Sequence, residues 1–276
     1  MTIGILAALR EEAAHLLEDL EPGGRRTQIA LRDYTAGTIH GHDCVIVLAR
    51  VGKVAAATTA TALIERFGAD RLIFTGVAGG VAPGLRIGDI VIADALVQHD
   101  LDARPFFRRH EIPLLGTSHC ATDAGLTDRL EAAARAFLDG PMRQRISPEV
   151  CERFGLDRPR VHRGLIASGD QFIGSAAGVA ALREALPDAL AVEMEGAAVA
   201  QVCHEYGIPF AVMRTVSDTA DEQAHQDFPA FLVEVASHYA HGILQCLFQA
   251  GIPPAGAIER HAGTPPEAPG GWTLAT

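Results

Sequence analysis

The sequence predicts an α/β fold built on a sheet buried on both faces. Short apolar runs alternate along the chain with stretches whose apolar residues recur at helical spacing. The apolar runs are continuous rather than alternating with polar residues, as in strands covered on both sides. Hydrophobic residues make up 48% of the 276, enough for one large core.

In order, Ile3–Ala8 is a short apolar run of buried-strand type, and Glu11–Leu20 carries its apolar residues at helical spacing. Cys44–Ala49 (CVIVLA) reads as a strand, and the alanine-rich Val54–Phe67 as a helix. Arg71–Thr75 (RLIFT) is a further strand, and it ends in a loop, Gly76-Val77-Ala78-Gly79-Gly80. Asp89–Val97 is strand-like, and Leu126–Leu138 reads as a helix. Gly164–Ser168 is a strand, followed by an Ala176–Leu186 helix. Leu190–Met194 is a strand running into a Glu195–Tyr206 helix. Pro209–Val216 is the last strand, and Phe228–Phe248 one long final helix. Two segments stand apart. Asp139–Arg160 is polar and charged and reads as a surface excursion. Residues 251–276 are rich in Pro and Gly without periodicity, so the chain reads as one domain, 1–250, followed by an extended or mobile tail.

Composition narrows the function classes. A formal net charge of −11 opposes a nucleic-acid partner, which needs a basic surface. It is compatible with a small substrate. No apolar run reaches the roughly 18 residues of a membrane span, and the N-terminus lacks the basic start of a signal peptide. Cys44, Cys120, Cys151, Cys203 and Cys246 are scattered with no C-x-x-C pair, which points to free thiols in a reducing cytoplasm.

The candidate chemistry lies at strand ends, where open α/β sheets bind ligands. Glu193 and Glu195 flank Met194. Two acids spaced i, i+2 face different ways, so one can enter a site while the other makes a structural contact. A pair of acids at a helix start is also an ordinary solvated arrangement. A carboxylate accepting two vicinal hydroxyls suits a ribose. Asp218 ends another strand. It is either an N-cap or turn residue, or an acid placed to assist a leaving group. Glu11 and Glu12 follow the first strand, where adjacent glutamates are most simply surface residues. The glycine loop lacks both G-x-x-x-x-G-K-[ST] and G-x-G-x-x-G, so the case for a nucleotide-phosphate cradle is weak. Its glycines do let backbone approach a ligand closely. His99-Asp100-Leu101-Asp102 invites a metal reading, yet no further ligand completes a set at recognisable spacing.

These residues also carry a resemblance. Val192–Gln201 (VEMEGAAVAQ) is similar to the ribose-binding signature of the nucleoside phosphorylase and nucleosidase superfamily, and Arg214–Asp218 (RTVSD) resembles its second signature. IGILAALREE resembles the start of its hydrolytic members, and Ser168–Ile173 (SGDQFI) its purine-binding loop. The resemblance runs from Ile3 to about Leu247 and weakens between Arg104 and Arg160. It implies a single α/β domain with a twisted mixed sheet surrounded by helices, assembling as a homodimer. It implies hydrolysis of the N-glycosidic bond of 5′-substituted adenosines such as methylthioadenosine and S-adenosylhomocysteine, with no cofactor and no metal. Glu12 would be the base that activates water, with Arg214 nearby holding it ionised. Asp218 would assist the purine at N7. Glu195 would grip the ribose hydroxyls, with Met194 under the ring. Phe172 would stack on the base, and Ile173 would offer backbone hydrogen bonds. Val77 and Ala78 would lie beside ribose and water, and Val77 stands where many nucleosidases have a serine. Phe228 would cover the 5′ end, and Phe106 would reach into a neighbouring subunit's pocket. Arg104, beside Phe106, points either to solvent or to a carboxylate on the 5′ group. The rivals are a phosphorolytic relative, for which Arg10, Arg50, Lys53 and Arg214 are the candidate cations, the first three not placed by the sequence, and a non-catalytic nucleoside-binding protein.

Overall fold

The computed structural model of the chain describes residues 1–20, 24–218 and 224–252. Its first half runs β1 (Thr2–Ala7), α1 (Arg10–Glu18), β2 (Arg25–Ile29), β3 (Arg32–Ile39), β4 (His42–Leu48), α2 (Lys53–Phe67), β5 (Arg71–Phe74), β6 (Val77–Gly80), β7 (Ile90–Gln98) and β8 (His119–Ala121). Then come α3 (Ala124–Asp139), α4 (Met142–Arg145), α5 (Pro148–Arg153), β9 (Val161–Ser168), α6 (Ala176–Ala185), β10 (Ala189–Glu193), α7 (Gly196–Tyr206), β11 (Phe210–Asp218), α8 (Ala224–Phe231), a π turn (Leu232–Ala236) and α9 (Ser237–Ala250).

The strands form one mixed 11-stranded sheet in the order β2-β3-β4-β1-β5-β11-β6-β10-β9-β7-β8. β1 runs parallel to β4 and β5, and β5 parallel to β11. β7 pairs in parallel with β9 and antiparallel with β11. The strands β11-β6-β10-β9-β7 therefore close on themselves, while β2 to β5 form an open wing. Side-chain alternation divides the interior into two large cores, and a third, smaller cluster packs α6 against Val81, Val97 and Val192. Ile3 and Ile5 of β1 face a core filled by α1, α3 and α9. Leu6 faces another, filled by α2 and α7. This covering of both faces is what the continuous apolar strands require, and the fold class read from sequence is the one observed.

Several local readings are corrected. The Gly76–Gly80 loop is largely a strand: β6 pairs in parallel with β11 and antiparallel with β10. A sequence of small residues gives no strand signal, yet smallness is why it fits. A Cβ on Gly80 would lie 3.1 Å from Val216 Cγ1. Residues 139–160 are not a surface excursion. Met142, Ile146, Cys151, Phe154 and Leu156 are buried in the α9-side core, while the intervening charges face out. The long terminal helix is α8, the π turn and α9 in succession, with Pro229 inside α8. The π turn escapes a periodicity reading because Phe231, Val235 and Tyr239 remain buried across it at helical spacing. The β2–β3 hairpin and β8 carry no apolar run and were not legible. The tail expectation, 251–276, falls almost wholly outside the described residues. Among those described, no helix is long and apolar enough to cross a membrane.

Candidate active site

Glu12 is fixed by the start of its own helix. It is the third residue of α1, and its Oε2 accepts the backbone N–H groups of Ala8 and Leu9, each at 2.9 Å. A carboxylate there satisfies donors left open by the first turn and meets the positive end of the helix dipole. Oε1 accepts the Val77 amide at 3.2 Å. Gly76 permits that approach, since a Cβ there would stand 3.1 Å from Oε1. Glu12 is 2% exposed. Burial pushes its pKa up, outweighing the three amides and the positive charge of Arg214.

The two acids after β10 take separate roles, as their spacing suggested. Glu193 is structural. Its Oε2 receives Arg214 Nη2 at 2.6 Å and Nε at 3.2 Å. It also accepts the Gly196 amide at the start of α7, and the Ser168 hydroxyl donates to it. Arg214 is thereby committed. It also donates to the Phe74 and Met213 carbonyls and stacks 4.1 Å from the Phe74 ring centroid. Arg214 favours the ionised form of Glu12, the direction the resemblance implies. The guanidinium pairs with Glu193, acts on Glu12 only through space, and is outweighed there by desolvation. Glu195 instead faces the cavity and accepts the Gly52 amide at 2.8 Å. Burial, reinforced by the neighbouring charge of Glu193, raises its pKa to about 7. Asp218 ends β11, 5% exposed, and takes a 2.8 Å hydrogen bond from the Ser217 hydroxyl.

These groups line one cavity of about 230 Å³. Glu12, Val77, Ala78, Phe172, Ile173, Met194, Glu195, Arg214, Asp218 and Phe228 all reach it. Its walls are mainly apolar, and the carboxylates of Glu12, Glu195 and Asp218 are among its polar lining. Phe106 does not reach it. It is 57% exposed and lines a separate hollow with Arg104 and Arg108. Arg104 lies at the surface, bound through Nε and Nη2 to Asp102. Like Phe106, Arg104 does not line the cavity of its own chain. Asp100 is likewise engaged by Lys53 Nζ at 2.6 Å. Among the described residues no cluster of three or more His, Cys, Asp or Glu side chains is arranged to hold a metal.

Sequence reasoning missed Ala8, Leu9, Val51, Gln171 and Ser217, which also line the cavity. The apolar ones have no chemistry to betray them. Ala8, Leu9, Gln171 and Ser217 sit inside quoted motifs, so their adjacency was the available signal.

The profile described as the Phosphorylase superfamily matches residues 2–247. The chain is 37% identical over 239 residues to the 5′-methylthioadenosine/S-adenosylhomocysteine nucleosidase of Anoxybacillus flavithermus, covering 86% of this chain and 94% of that protein. The Neisseria meningitidis nucleosidase of the same name, in complex with methylthio-immucillin-A, superposes with a TM-score of 0.79 at 33% identity, covering 90% of this chain and 99% of that one. The futalosine hydrolase of Helicobacter pylori superposes with a TM-score of 0.76 at 32% identity, covering 90% and 98%. With the sheet, the three carboxylates and the profile in agreement, the chain belongs to the phosphorylase superfamily.

Proposed function

We propose that the protein is a nucleosidase that hydrolyses the N-glycosidic bond of 5′-substituted adenosines, releasing adenine. One observation carries the choice of water over phosphate. Arg214 is the one cation lining the cavity among the described residues, and Glu193 occupies it. Lys53, next to the Gly52 amide that meets Glu195, donates to Asp100 and Gln98. Phosphorolysis needs free cations beside the sugar; activation of water needs a base, and Glu12 fits that need.

In this reading, water adds to C1′ as the C1′–N9 bond breaks and its electron pair leaves with the adenine. Glu12 takes the proton of the water, and Asp218 gives a proton to N7, so that adenine leaves neutral. Glu195 accepts the ribose hydroxyls above Met194. Phe172 and Ile173 hold the purine, and Phe228 covers the 5′ side. The base-at-one-end, acid-at-the-other arrangement parallels glycoside hydrolysis. Val77 contributes no hydroxyl, so the water relies on Glu12 and backbone. The relatives' substrates support methylthioadenosine and S-adenosylhomocysteine as the first compounds to try. The protein acts as a homodimer in which Phe106 of each chain serves the neighbouring cavity. It works in a reducing cytoplasm, in keeping with five cysteines that are all free.

The test is incubation with methylthioadenosine with and without phosphate, following adenine and the sugar. Adenine and a reducing sugar in phosphate-free buffer are expected. A sugar 1-phosphate, formed only when phosphate is added, would overturn the hydrolytic assignment.

A further inference from the structure

Beside the nucleoside cavity a second hollow of about 380 Å³ opens to solvent, and the two share Ala8, Leu9 and Val51 as a common rim. Its other walls carry three guanidiniums, Arg10, Arg32 and Arg50. In a chain of net charge −11 this is a local reversal of sign. We propose that this hollow is an anion-binding subsite for the far end of the 5′ substituent, favouring nucleosides whose 5′ chain ends in a carboxylate over those ending in a neutral alkylthio group. This rests on the nucleosidase reading and assigns its specificity.

The three charges are available. Arg10 has no hydrogen-bond or ion-pair partner among the described residues. Arg50 gives one bond, from Nη2 to the Leu31 carbonyl at 2.6 Å. Arg32 is held by the carbonyls of Ala49, Ala30 and Ala55 at 3.3–3.4 Å, all uncharged acceptors. The one carboxylate lining the hollow, Asp33, is engaged from outside by Arg26. The backbone holds this wall at a cost: Arg50 has φ 66° and Leu31 φ 62°, where side chains are disfavoured.

Position decides which anion is recognised. With the purine at Asp218 and the ribose on Glu195, the sugar lies against the Gly52 amide that binds Glu195. Val51 precedes Gly52, so a 5′ chain leaves past Val51 and Leu9 into the hollow. None of the three arginines lines the cavity where C1′, Glu12 and Val77 meet, so a phosphate nucleophile is misplaced here. Guanidinium forks match carboxylates in bidentate geometry and keep their charge at any working pH.

The experiment measures kcat/KM for S-adenosylhomocysteine, its methyl ester and methylthioadenosine, with the unaltered protein and with Arg10→Ala and Arg50→Gly, the glycine relieving the left-handed backbone at position 50. The ratio of the acid to methylthioadenosine should fall about tenfold in each variant, in line with loss of a charge-assisted contact. In the unaltered protein the methyl ester should show the same loss without any substitution. That ratio should also shrink as salt is raised, because these charges are solvent-facing. Ratios within twofold of the unaltered protein, or an ester as good as the acid, overturn the subsite while leaving adenine release intact. Failure to release adenine from all three nucleosides overturns the nucleosidase reading, and the subsite with it. Phosphate-dependent turnover that disappears in Arg10→Ala would assign the arginines to a phosphate instead.

Discussion

Glu12, Glu193 and Glu195 are chemically alike, and their surroundings make them different. Glu193 receives a guanidinium and a helix-start amide, and serves as a strut. Glu195 has one amide and a like charge beside it, and its pKa rises to about 7. Glu12 has three amides and yet is raised by burial. Glu12→Gln keeps the shape and removes the proposed base, so kcat should fall ~10²–10⁴-fold while substrate still binds. Single-turnover kinetics with a separate binding titration checks this, and near-normal kcat would move the base to another residue. A base with a raised pKa is lost on acidification, so the acid limb of kcat/KM should lie above the ordinary glutamate range near 4.5. Glu195 gives a stability prediction. A folded pKa raised from 4.5 to about 7 favours the native state below pH 4.5, and that contribution fades as pH climbs through 7. Glu195→Gln, which keeps an acceptor for the Gly52 amide, should therefore raise Tm at pH 8 and change it little at pH 4. A gain of the same size at both pH values would assign the effect to packing.

At the scale of elements, the site depends on close approaches between backbones. β6 can sit between β10 and β11 because its residues are small, and Gly76 lets the Val77 amide reach Glu12. The same economy appears away from the site, where α9 packs on α3. A Cβ on Gly242 would lie 2.2 Å from Phe137 Cε2 in the buried interface. Gly242→Ala should cost about 1–3 kcal/mol from overpacking, partly offset by about 1 kcal/mol of helix propensity. Thermal or urea unfolding measures it, and a net stabilisation would mean that Phe137 can move aside without loss.

For the whole molecule, exposed apolar residues bear on assembly. Val51 and Phe172 are 53% and 55% exposed at the cavity, and Val54 is 76% exposed in the first turn of α2. Phe106 is equally open in its own hollow. Such residues are at home in an interface. Sedimentation should give about twice the 29.2 kDa chain mass. Val54→Asp should shift the protein toward monomer and lower adenine release together. A fully active monomer would remove Phe106 from the neighbouring cavity.

The α/β class was legible in the amino-acid pattern alone, because strands covered on both faces must be continuously apolar and amphipathic helices must repeat near 3.6 residues. That pattern also placed the carboxylates at strand ends, where Asp218 and Glu195 now face one cavity. Motif resemblance identified nine of the residues that line it besides Glu12, since short local patterns survive when packing partners change. Which carboxylate Arg214 pairs with emerged from folding in three dimensions, because Glu193 and Glu12 come from strands and helices far apart in sequence. Folding also decided that residues 139–160 are partly core, since short amphipathic turns give too few periods to read. It decided that Gly76–Gly80 is a strand, since small residues are selected there by what approaches them. And it gathered Arg10, Arg32 and Arg50 beside the cavity, a convergence that no spacing along the chain encodes, because three separate chain segments supply it.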